Sequence, residues 1–402
     1  MFYNILRQIT ATLFKVYFRK IYLIDLEKVP LQGPILIACN HPMAFTEACL
    51  LACFLDRPLH FLVRGDVFKS NWEWFFRWTN QIPIYRFRDG FSNMRRNSES
   101  FSKAHEALAQ QKAVLIFAEG NTKLQKKLSP LQKGTARLAF GAYDELNVAN
   151  IKIVPVGVNY TAGKVFRSDV AIKIGTPLHL EDYLELYKTD HHEAFRKLTD
   201  DLYNNMLPLI IHIEDSSMEP LADRIFHLYE SLRDYKSWPI LDYADDRFKE
   251  EKKIARQINS ISQDRTQALK KIVSNAEIEE SVSVRWSKVF LLFVGLPIFI
   301  GGFILNAAPF YLAKSIAFKK VSKDEFLTPV RLGLIMVLYI VWMVIWFLIL
   351  IPIFGWYSLI ALCLLPLTAY VVILWKEGFD TITKEKRIKS EYLAQINEIL
   401  YR

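Results

Sequence analysis

The sequence predicts an α/β domain, with an αβα-layered mixed sheet, followed by a C-terminal helical membrane region. Three observations lead to this. Short apolar runs alternate with helical patterns over residues 21–213, as in α/β domains. Residues 214–285 form helical patterns rich in Glu, Lys and Arg, which predict a charged helical arm. Beyond residue 286, uncharged apolar blocks are long enough to cross the hydrocarbon of a membrane.

Composition narrows the choice of partners. The 402 residues carry a formal net charge of +9, and 51% are hydrophobic, which excludes a disordered chain. A basic chain suits either nucleic acid or an anionic lipid surface. The apolar blocks favour the lipid. The sequence shows no helix-turn-helix, zinc-finger or aromatic RNA-binding motif, so we expect no nucleic-acid partner.

The four cysteines indicate a reducing environment. Cys39, Cys49, Cys53 and Cys363 all lie in apolar runs, without the spacing of a disulfide framework or zinc site. Cys49 and Cys53 are one helical turn apart near His41, which leaves a metal site as an alternative to buried free thiols. We expect no metal and no cleavable signal peptide, because charges interrupt residues 2–18.

The elements are predicted from periodicity. Residues 1–20 form an amphipathic pattern flanked by cations, which predicts a membrane-surface helix, with a helix packed on the domain as the alternative. The domain proper covers 21–213. Its expected strands are 22–26, 35–39, 59–63, 114–117, 151–158 and 170–174, and its expected helices are 46–55, 71–78, 93–111, 133–143 and 192–207.

The stretch 35–47 contains the candidate catalytic pair. A buried strand over 35–39 ends just before His41, and a helix opens with Glu47 in its first turn. Residues six apart do not meet on one helix, so the two side chains meet only if 41–45 is a loop. Pro42 disfavours helical dihedrals at His41. An imidazole held by a carboxylate is a general base; the alternative is a loop histidine beside an ordinary helix-start glutamate.

Cations and turns follow several other predicted strands. Open α/β sheets place their binding sites at such strand ends, and Arg binds phosphate through a bidentate fork, so the pattern suits an anionic substrate. The alternative for each single arginine is a solvated surface charge. The candidate substrate-binding residues are Arg64, Arg86, Arg88, Glu119, Gly120, Lys123, Lys133 and Arg137.

In order, these motifs resemble the glycerolipid acyltransferases, over about residues 20–180. The matching stretches are Asn40-His41-Pro42 followed by an acid, Ile82-Pro83-x-x-Arg86, Phe117-x-Glu119-Gly120, Lys133-Gly134-x-Ala136-Arg137 and Val154-Pro155-Val156-Gly157. These enzymes transfer an acyl group from a thioester to glycerol-3-phosphate or 1-acylglycerol-3-phosphate. The resemblance implies the same activity here, in phospholipid biosynthesis, with acyl-coenzyme A or acyl-acyl carrier protein as co-substrate and no cofactor.

The resemblance also implies roles for individual residues. His41 would be the general base on the acceptor hydroxyl and Glu47 its orienting carboxylate. Arg86 and the Glu119-Gly120 turn would hold the glycerol phosphate, and Pro155 would shape the acyl-donor side.

Two departures from the family pattern are visible. The family's acid is usually an Asp at the position of Thr46. The third motif usually ends Gly-Thr-Arg, whereas here Lys123 ends it, so Lys123, Lys133 or Arg137 would supply the phosphate cation. Acyl transfer to another lipid acceptor, thioester hydrolysis and a degenerate membrane scaffold are the alternatives.

The membrane region is expected over 286–402. Blocks 332–351 and 356–375 predict two spans, and 289–313, which contains Pro and Gly, predicts a re-entrant segment before them. That path keeps the flanking cations and the basic tail on the cytoplasmic side with the catalytic domain. Three spans are the alternative. The arrangement resembles fungal-type glycerol-3-phosphate/dihydroxyacetone-phosphate acyltransferases, here as a membrane-bound bacterial branch of the family.

Overall fold

The structure is a computed structural model that describes residues 2–65, 73–84, 94–230, 239–276, 278–281, 286–383, 385–388 and 390–401. The chain forms two compact units. The first comprises Met1–Ser216 and Ile240–Lys252, and the second comprises Ser217–Pro239 and Lys253–Arg402. The charged arm predicted for 214–285 is therefore shared between the two units and is not a separate part of the molecule.

The first unit is built on a mixed sheet, as the sequence predicts. Within the described residues its strands are β1 (Lys20–Ile24), β2 (Ile35–Cys39), β3 (Leu59–Arg64), β4 (Gln81–Ile84), β5 (Ala113–Phe117), β6 (Lys152–Tyr160), β7 (Asp169–Ile174), β8 (Leu178–His179) and β9 (Leu241–Asp242). Their order is β4-β3-β5-β2-β6-β7-β1-β9, with β8 paired to β6. Strands β4, β3, β5, β2 and β6 are parallel to one another. Strand β7 is antiparallel to β6, and β1 and β9 run parallel to β7.

Helices cover this sheet on both faces. They are α1 (Phe2–Tyr17), α2 (Phe45–Phe54), α3 (Glu73–Trp78), α4 (Met94–Ala109), α5 (Gly134–Leu146), α6 (Glu181–Thr189) and α7 (His191–Met206). Leu36 and Ala38 of β2 join a core with α4, α5 and α7, whereas Ile35, Ile37 and Cys39 alternate to the other face and are equally buried. In a strand that is buried on both faces, every residue is apolar, so β2 is recognisable in the sequence as a continuous apolar run.

The segment 240–252 belongs to the first unit because it adds to the sheet edge. Strand β9 pairs with β1, and Arg247 forms a buried ion pair with Asp169. Asp169 also accepts from Arg19 at 3.0 Å. A buried carboxylate needs such partners, so these pairs fix a segment that composition alone assigns to a solvated arm.

Helix α1 packs on the domain through one of its faces. Ala11, Phe14 and Tyr17 are buried, and Arg7 donates to the main-chain carbonyls of Cys53 and Leu55 at the end of α2. Arg7 is thus a cation at a helix C-terminus and not part of an outward basic face. Ile5 and Ile9 remain exposed. The membrane-surface role predicted for residues 1–20 stays a prediction.

The parallel strands bring the candidate site residues to one edge. Because β3, β5, β2 and β6 run in the same direction, their carboxyl ends lie together. His41 follows β2, Glu119 follows β5, Arg64 ends β3 and Tyr160 ends β6.

The second unit is mainly helical. It contains α8 (Glu219–Glu230), most of α9 (Asp246–Ser260), α10 (Gln263–Asn275), the antiparallel strands β10 (Ile278–Ser281) and β11 (Glu385–Ile388), and α14 (Ser390–Tyr401). Its longest helices are α11 (Trp286–Lys320), α12 (Asp324–Phe354) and α13 (Ser358–Thr383). Two stretches, Val289–Lys320 and Asp324–Asp380, are long and apolar enough to cross a membrane.

Helix α11 contains two prolines, Pro297 and Pro309. Proline lacks the main-chain N–H of a regular helix position and therefore weakens the helix locally. The rings of Phe303 and Tyr311 on this helix are 6.2 Å apart.

The two halves of α11 contact different helices. In the first half, Trp375 of α13 donates to the carbonyl of Leu292, while in the second half Phe310 packs on Tyr339 of α12. A short turn at Gly355–Tyr357 separates α12 from α13. Whether 289–313 enters a bilayer and returns stays a prediction.

Candidate active site

His41 and Glu47 are in direct contact. His41 Nδ1 lies 3.0 Å from Glu47 Oε2, and the glutamate side chain is fully buried while 14% of the histidine side chain is exposed. A loop separates the end of β2 from the start of α2. Ala44 in this loop has a φ of 46°, a conformation that L-residues seldom adopt, which lets the chain turn within few residues. The loop thus returns the imidazole over the first turn of the helix.

The contact with Glu47 determines the tautomer of His41. A buried carboxylate accepts hydrogen bonds, so Nδ1 carries the proton and Nε2 keeps its lone pair. The imidazole ring stacks on Phe117 at a centroid distance of 3.6 Å. Within the described residues, no side chain bonds Nε2. The ring is therefore held on one side and available as a base on the other.

Glu47 has two further donors on its second oxygen. The main-chain N–H of Met43 lies 2.7 Å from Oε1, and the hydroxyl of Tyr160 donates to the same oxygen at 2.9 Å. Burial, and then the charge of Glu47, hold the pKa of Tyr160 well above its usual range, so the phenol stays protonated. Sequence reasoning missed Tyr160. Its contact with Glu47 depends on the strand order, which places β6 next to β2, and no sequence signal gave that order.

Asn40 ties the His41 loop to β6. Its side-chain amide donates to the carbonyl of Val158 at 2.9 Å and accepts from the N–H of Val158 at 2.8 Å. The side chain thereby continues the β2–β6 pairing beyond the end of β2. The histidine that follows Asn40 is fixed at that point of the edge.

Glu119 holds two loops together through both of its oxygens. Oε1 accepts from the main-chain N–H of His41 and Oε2 from that of Ser129, each at 2.9 Å. The residue is buried. Its substrate-binding role stays a prediction, since its hydrogen bonds in the structure go to main-chain groups of the protein. Gly120 turns the chain here with a φ of 67°, and a Cβ on it would lie 2.9 Å from Gln132 Cγ.

The candidate cations lie at the same edge with exposed side chains. Arg64 ends β3, and Lys123 donates its main-chain N–H to the carbonyl of His41 at 3.2 Å. Lys133 and Arg137 share one face at the start of α5, next to Gln132, whose N–H donates to Ala118 at the end of β5.

Two predicted site residues, Arg86 and Arg88, lie outside the described residues. The structure therefore shows neither their position nor their contacts. In the part of the chain that is described, no group of three His, Cys, Asp or Glu side chains is placed to hold a metal ion. Burial raises the pKa of the Cys49 thiol to about 11 and that of Cys53 to about 12.

Part of the chain is similar to a known protein family and to known enzymes. Residues 20–159 match the family model described as Acyltransferase. Glycerol-3-phosphate O-acyltransferase 1 of Saccharomyces cerevisiae is 28% identical over 134 residues, which are 32% of this chain and 17% of the yeast protein. Glycerol-3-phosphate O-acyltransferase 2 of the same yeast is 26% identical over 138 residues, or 34% and 19% of the two chains. The match thus spans less than a fifth of either yeast protein.

A solved structure was also matched. It is the crystal structure of the 1-acyl-sn-glycerophosphate (LPA) acyltransferase from Thermotoga maritima, with 16% sequence identity and a TM-score of 0.36. The match covers 50% of this chain and 79% of that chain.

Proposed function

We propose a specific reaction for this chain, on the premise that residues 20–159, which match the Acyltransferase family model, form an acyltransferase domain. The enzyme transfers a fatty acyl group from an acyl thioester to a hydroxyl of glycerol-3-phosphate or 1-acylglycerol-3-phosphate. The observation that carries the proposal is the pairing of His41 with a fully buried Glu47 at the carboxyl edge of the sheet.

The proposed mechanism is a direct transfer. Nε2 of His41 takes the proton of the acceptor hydroxyl, and the oxygen attacks the thioester carbonyl. The tetrahedral intermediate collapses by breaking the C–S bond. The imidazolium returns its proton to the leaving thiolate, so His41 is regenerated without an acyl-enzyme. Glu47 holds the imidazole in the required tautomer and stabilises its charged form.

The acceptor phosphate would bind to the exposed cations of this edge. Arg64, Lys123, Lys133 and Arg137 extend from neighbouring strand ends and from the start of α5. The N-terminus of α5 adds main-chain N–H groups that favour an anion. With the phosphate held there, the hydroxyl of a short glycerol backbone would be directed toward His41.

The donor and the location follow from the same proposal. A coenzyme A or carrier-protein thioester delivers an acyl chain, and both lipid product and acyl chain belong at a bilayer. The two apolar stretches of the second unit support membrane association. We place the catalytic domain on the cytoplasmic face, where the flanking cations of these stretches are expected.

The test uses the purified full chain in detergent with radiolabelled long-chain acyl-coenzyme A. It is offered glycerol-3-phosphate, 1-acylglycerol-3-phosphate or dihydroxyacetone phosphate. We expect labelled lipid with one of the first two acceptors, and its loss in His41→Ala. His179→Ala, a change of an exposed histidine, should remain fully active. Full activity of His41→Ala would overturn the mechanism.

The same assay separates the other candidate functions. Release of free labelled fatty acid without an acceptor would indicate a thioesterase. Product only with dihydroxyacetone phosphate would change the acceptor. Absence of turnover with all three acceptors would overturn the proposed reaction.

A further inference from the structure

We propose that Tyr160 is a positioning residue for the reaction, which fixes the carboxylate of Glu47 so that its other oxygen faces His41. The inference rests on the proposed function, since it assigns a role within that site. It starts from three donors around one carboxylate. Two of them, the N–H of Met43 and the hydroxyl of Tyr160, converge on Oε1 within 2.9 Å, and among the described residues only His41 bonds Oε2.

A glutamate at this position needs such support. Compared with Asp, it has one more methylene and one more torsion, and its rotamer freedom opposes a fixed geometry. The two donors on Oε1 define the plane of the carboxylate and leave Oε2 for the imidazole. The hydroxyl of Tyr160 is thus part of what holds the carboxylate of Glu47, six positions after His41, against the imidazole.

Because the contact between Tyr160 and Glu47 is buried, the loss of the Tyr160 hydroxyl would leave the carboxylate short of a hydrogen-bond donor. Glu47 is fully buried and Tyr160 is 7% exposed, so water does not replace a lost donor easily. An ionised carboxylate in such a place depends on every hydrogen bond that it accepts. Tyr160 is itself fixed as the last residue of β6, paired with Val170 of β7, and its ring lies 6.0 Å from that of Phe18.

The other titratable groups around the pair do not substitute for Tyr160. Cys39 and Cys49 are close, and burial raises the pKa of both thiols, that of Cys49 to about 11, so both stay neutral. Glu119 is engaged by the main-chain N–H groups of His41 and Ser129. Lys123 contacts His41 through its main chain and its side chain is exposed.

The first test is Tyr160→Phe, which removes only the hydroxyl. We expect kcat to fall roughly 10- to 50-fold, because a hydrogen bond to a charged group is lost. KM for the acceptor should stay within about twofold, since Tyr160 contacts none of the site cations that the structure describes, Arg64, Lys123, Lys133 and Arg137. The acid limb of the kcat/KM profile should move to higher pH, because Glu47 then directs more of its negative charge toward the imidazole.

Tyr187→Phe is the matched control. Tyr187 is also buried and donates to a carboxylate, that of Asp144, at 2.6 Å, but it packs between α5 and α7. The control should lower stability to a comparable degree and leave kcat and the pH profile unchanged. A purely structural role for Tyr160 would make the two variants alike.

Coupling gives an independent measurement. In a Glu47→Gln background, Tyr160→Phe should cost less than threefold in kcat, because the charge through which Tyr160 acts is already gone. If the fold-decrease in kcat of the double variant equals the product of the fold-decreases of Tyr160→Phe and Glu47→Gln, then Tyr160 does not act through Glu47 and the inference is wrong.

Replacement of Tyr160 by 3-fluorotyrosine keeps the fold in case Tyr160→Phe is unstable. The fluorinated phenol is a stronger donor, so the acid limb should move to lower pH. An unchanged limb in both variants would overturn the positioning role while leaving the proposed reaction intact. Activity of His41→Ala would instead overturn the reaction itself.

Discussion

At the scale of single residues, the hydrogen bonds of Glu47 determine what a substitution does. In Glu47→Gln, the side chain offers an NH₂ group where the structure needs an acceptor on both sides. Either the N–H of Met43 or that of His41 then faces another donor. We expect kcat to fall about 10²- to 10⁴-fold, but less than in His41→Ala, because the base is retained in a poor orientation.

Single-turnover assays with labelled acyl thioester measure this loss. Glu145→Gln is the matched control, because Glu145 contacts Nδ1 of another buried histidine, His105, at 2.8 Å. That variant should retain wild-type turnover. Equal activity of Glu47→Gln and wild type would show that the carboxylate is dispensable.

Glu119 allows a second prediction at this scale. Its two oxygens accept from the N–H groups of His41 and Ser129, so Glu119→Gln should lower stability and kcat together, kcat by about tenfold. KM for glycerol-3-phosphate should change less than twofold. Titration of the acceptor at saturating donor checks this. A rise in KM with unchanged kcat would instead support the direct substrate contact implied by the family resemblance.

The sequence supports prediction of the site only where its residues are close along the chain. His41 and Glu47 are six positions apart, and the strand end and helix start between them are visible in the pattern. Tyr160 lies 113 positions from Glu47, and no local pattern links the two. Predicting their contact required the strand order, which places β6 next to β2.

At the scale of elements, the loop between β5 and α5 depends on a half-buried histidine, His212. The N–H of Leu128 donates to Nδ1 of His212 at 3.0 Å, and the N–H of Ile213 donates to Lys126. The neighbouring Ser129 is bonded to Glu119. His212 therefore fixes the loop that in turn fixes the main chain of His41.

This contact predicts a pH-dependent stability. Burial, and then the charge of Lys127, hold the pKa of His212 below its usual range. In the unfolded chain His212 binds a proton with a pKa of about 6.5, whereas in the folded chain it does so only at lower pH. The contribution of His212 to folding stability is therefore fully present above pH 6.5 and is lost as the pH falls toward the folded pKa. His212→Asn keeps an acceptor near the position of Nδ1 without titrating.

Thermal unfolding of the solubilised chain at pH 7.5 and 5.5 measures this effect. Between pH 7.5 and pH 5.5, the Tm of wild type should fall by roughly 2–4 °C more than the Tm of His212→Asn. His179→Asn, which changes an exposed histidine, should behave like wild type. Parallel losses in wild type and His212→Asn would show that another group controls the acid sensitivity.

Most elements of the sheet could be predicted from apolar runs, and the exceptions have physical reasons. Strand β4 contains Pro83, which normally argues against a strand. Within the described residues β4 pairs only with β3, and such an edge position tolerates proline.

The strand predicted over 151–158 is longer in the structure. Asn159 is buried and bonded to the main chain of Leu209 and Ile211, so the strand continues to Tyr160.

At the scale of the whole molecule, one polar group connects the three long apolar helices. Asn306 of α11 donates to the hydroxyl of Thr368 in α13 at 3.1 Å and accepts from Tyr339 of α12 at 2.6 Å. The asparagine is buried. In hydrocarbon such polar contacts stabilise helix association, since the alternative is an unsatisfied amide.

These three residues lie at equal distances from the charged ends of their apolar blocks. Asn306 is seven residues before Ala313, Tyr339 is seven after Leu332, and Thr368 is seven before Trp375. Seven residues of helix rise about 10 Å. The next residues beyond these ends are the cations Lys314, Arg331 and Lys376. On the predicted re-entrant path of 289–313, these three cations come to the same face of the bilayer.

The pattern of charges predicts the topology. We propose that 289–313 enters the bilayer and returns, which places both ends of α11 at the face with the cations and leaves α12 and α13 as the two spans. The positive-inside rule makes that face cytoplasmic. In a Cys363→Ser background, we expect an impermeant maleimide to label Tyr357→Cys on intact cells and Lys323→Cys only after permeabilisation. Labelling of Lys323→Cys from outside would show that α11 crosses the bilayer, and the three-span path would replace the one argued from Asn306.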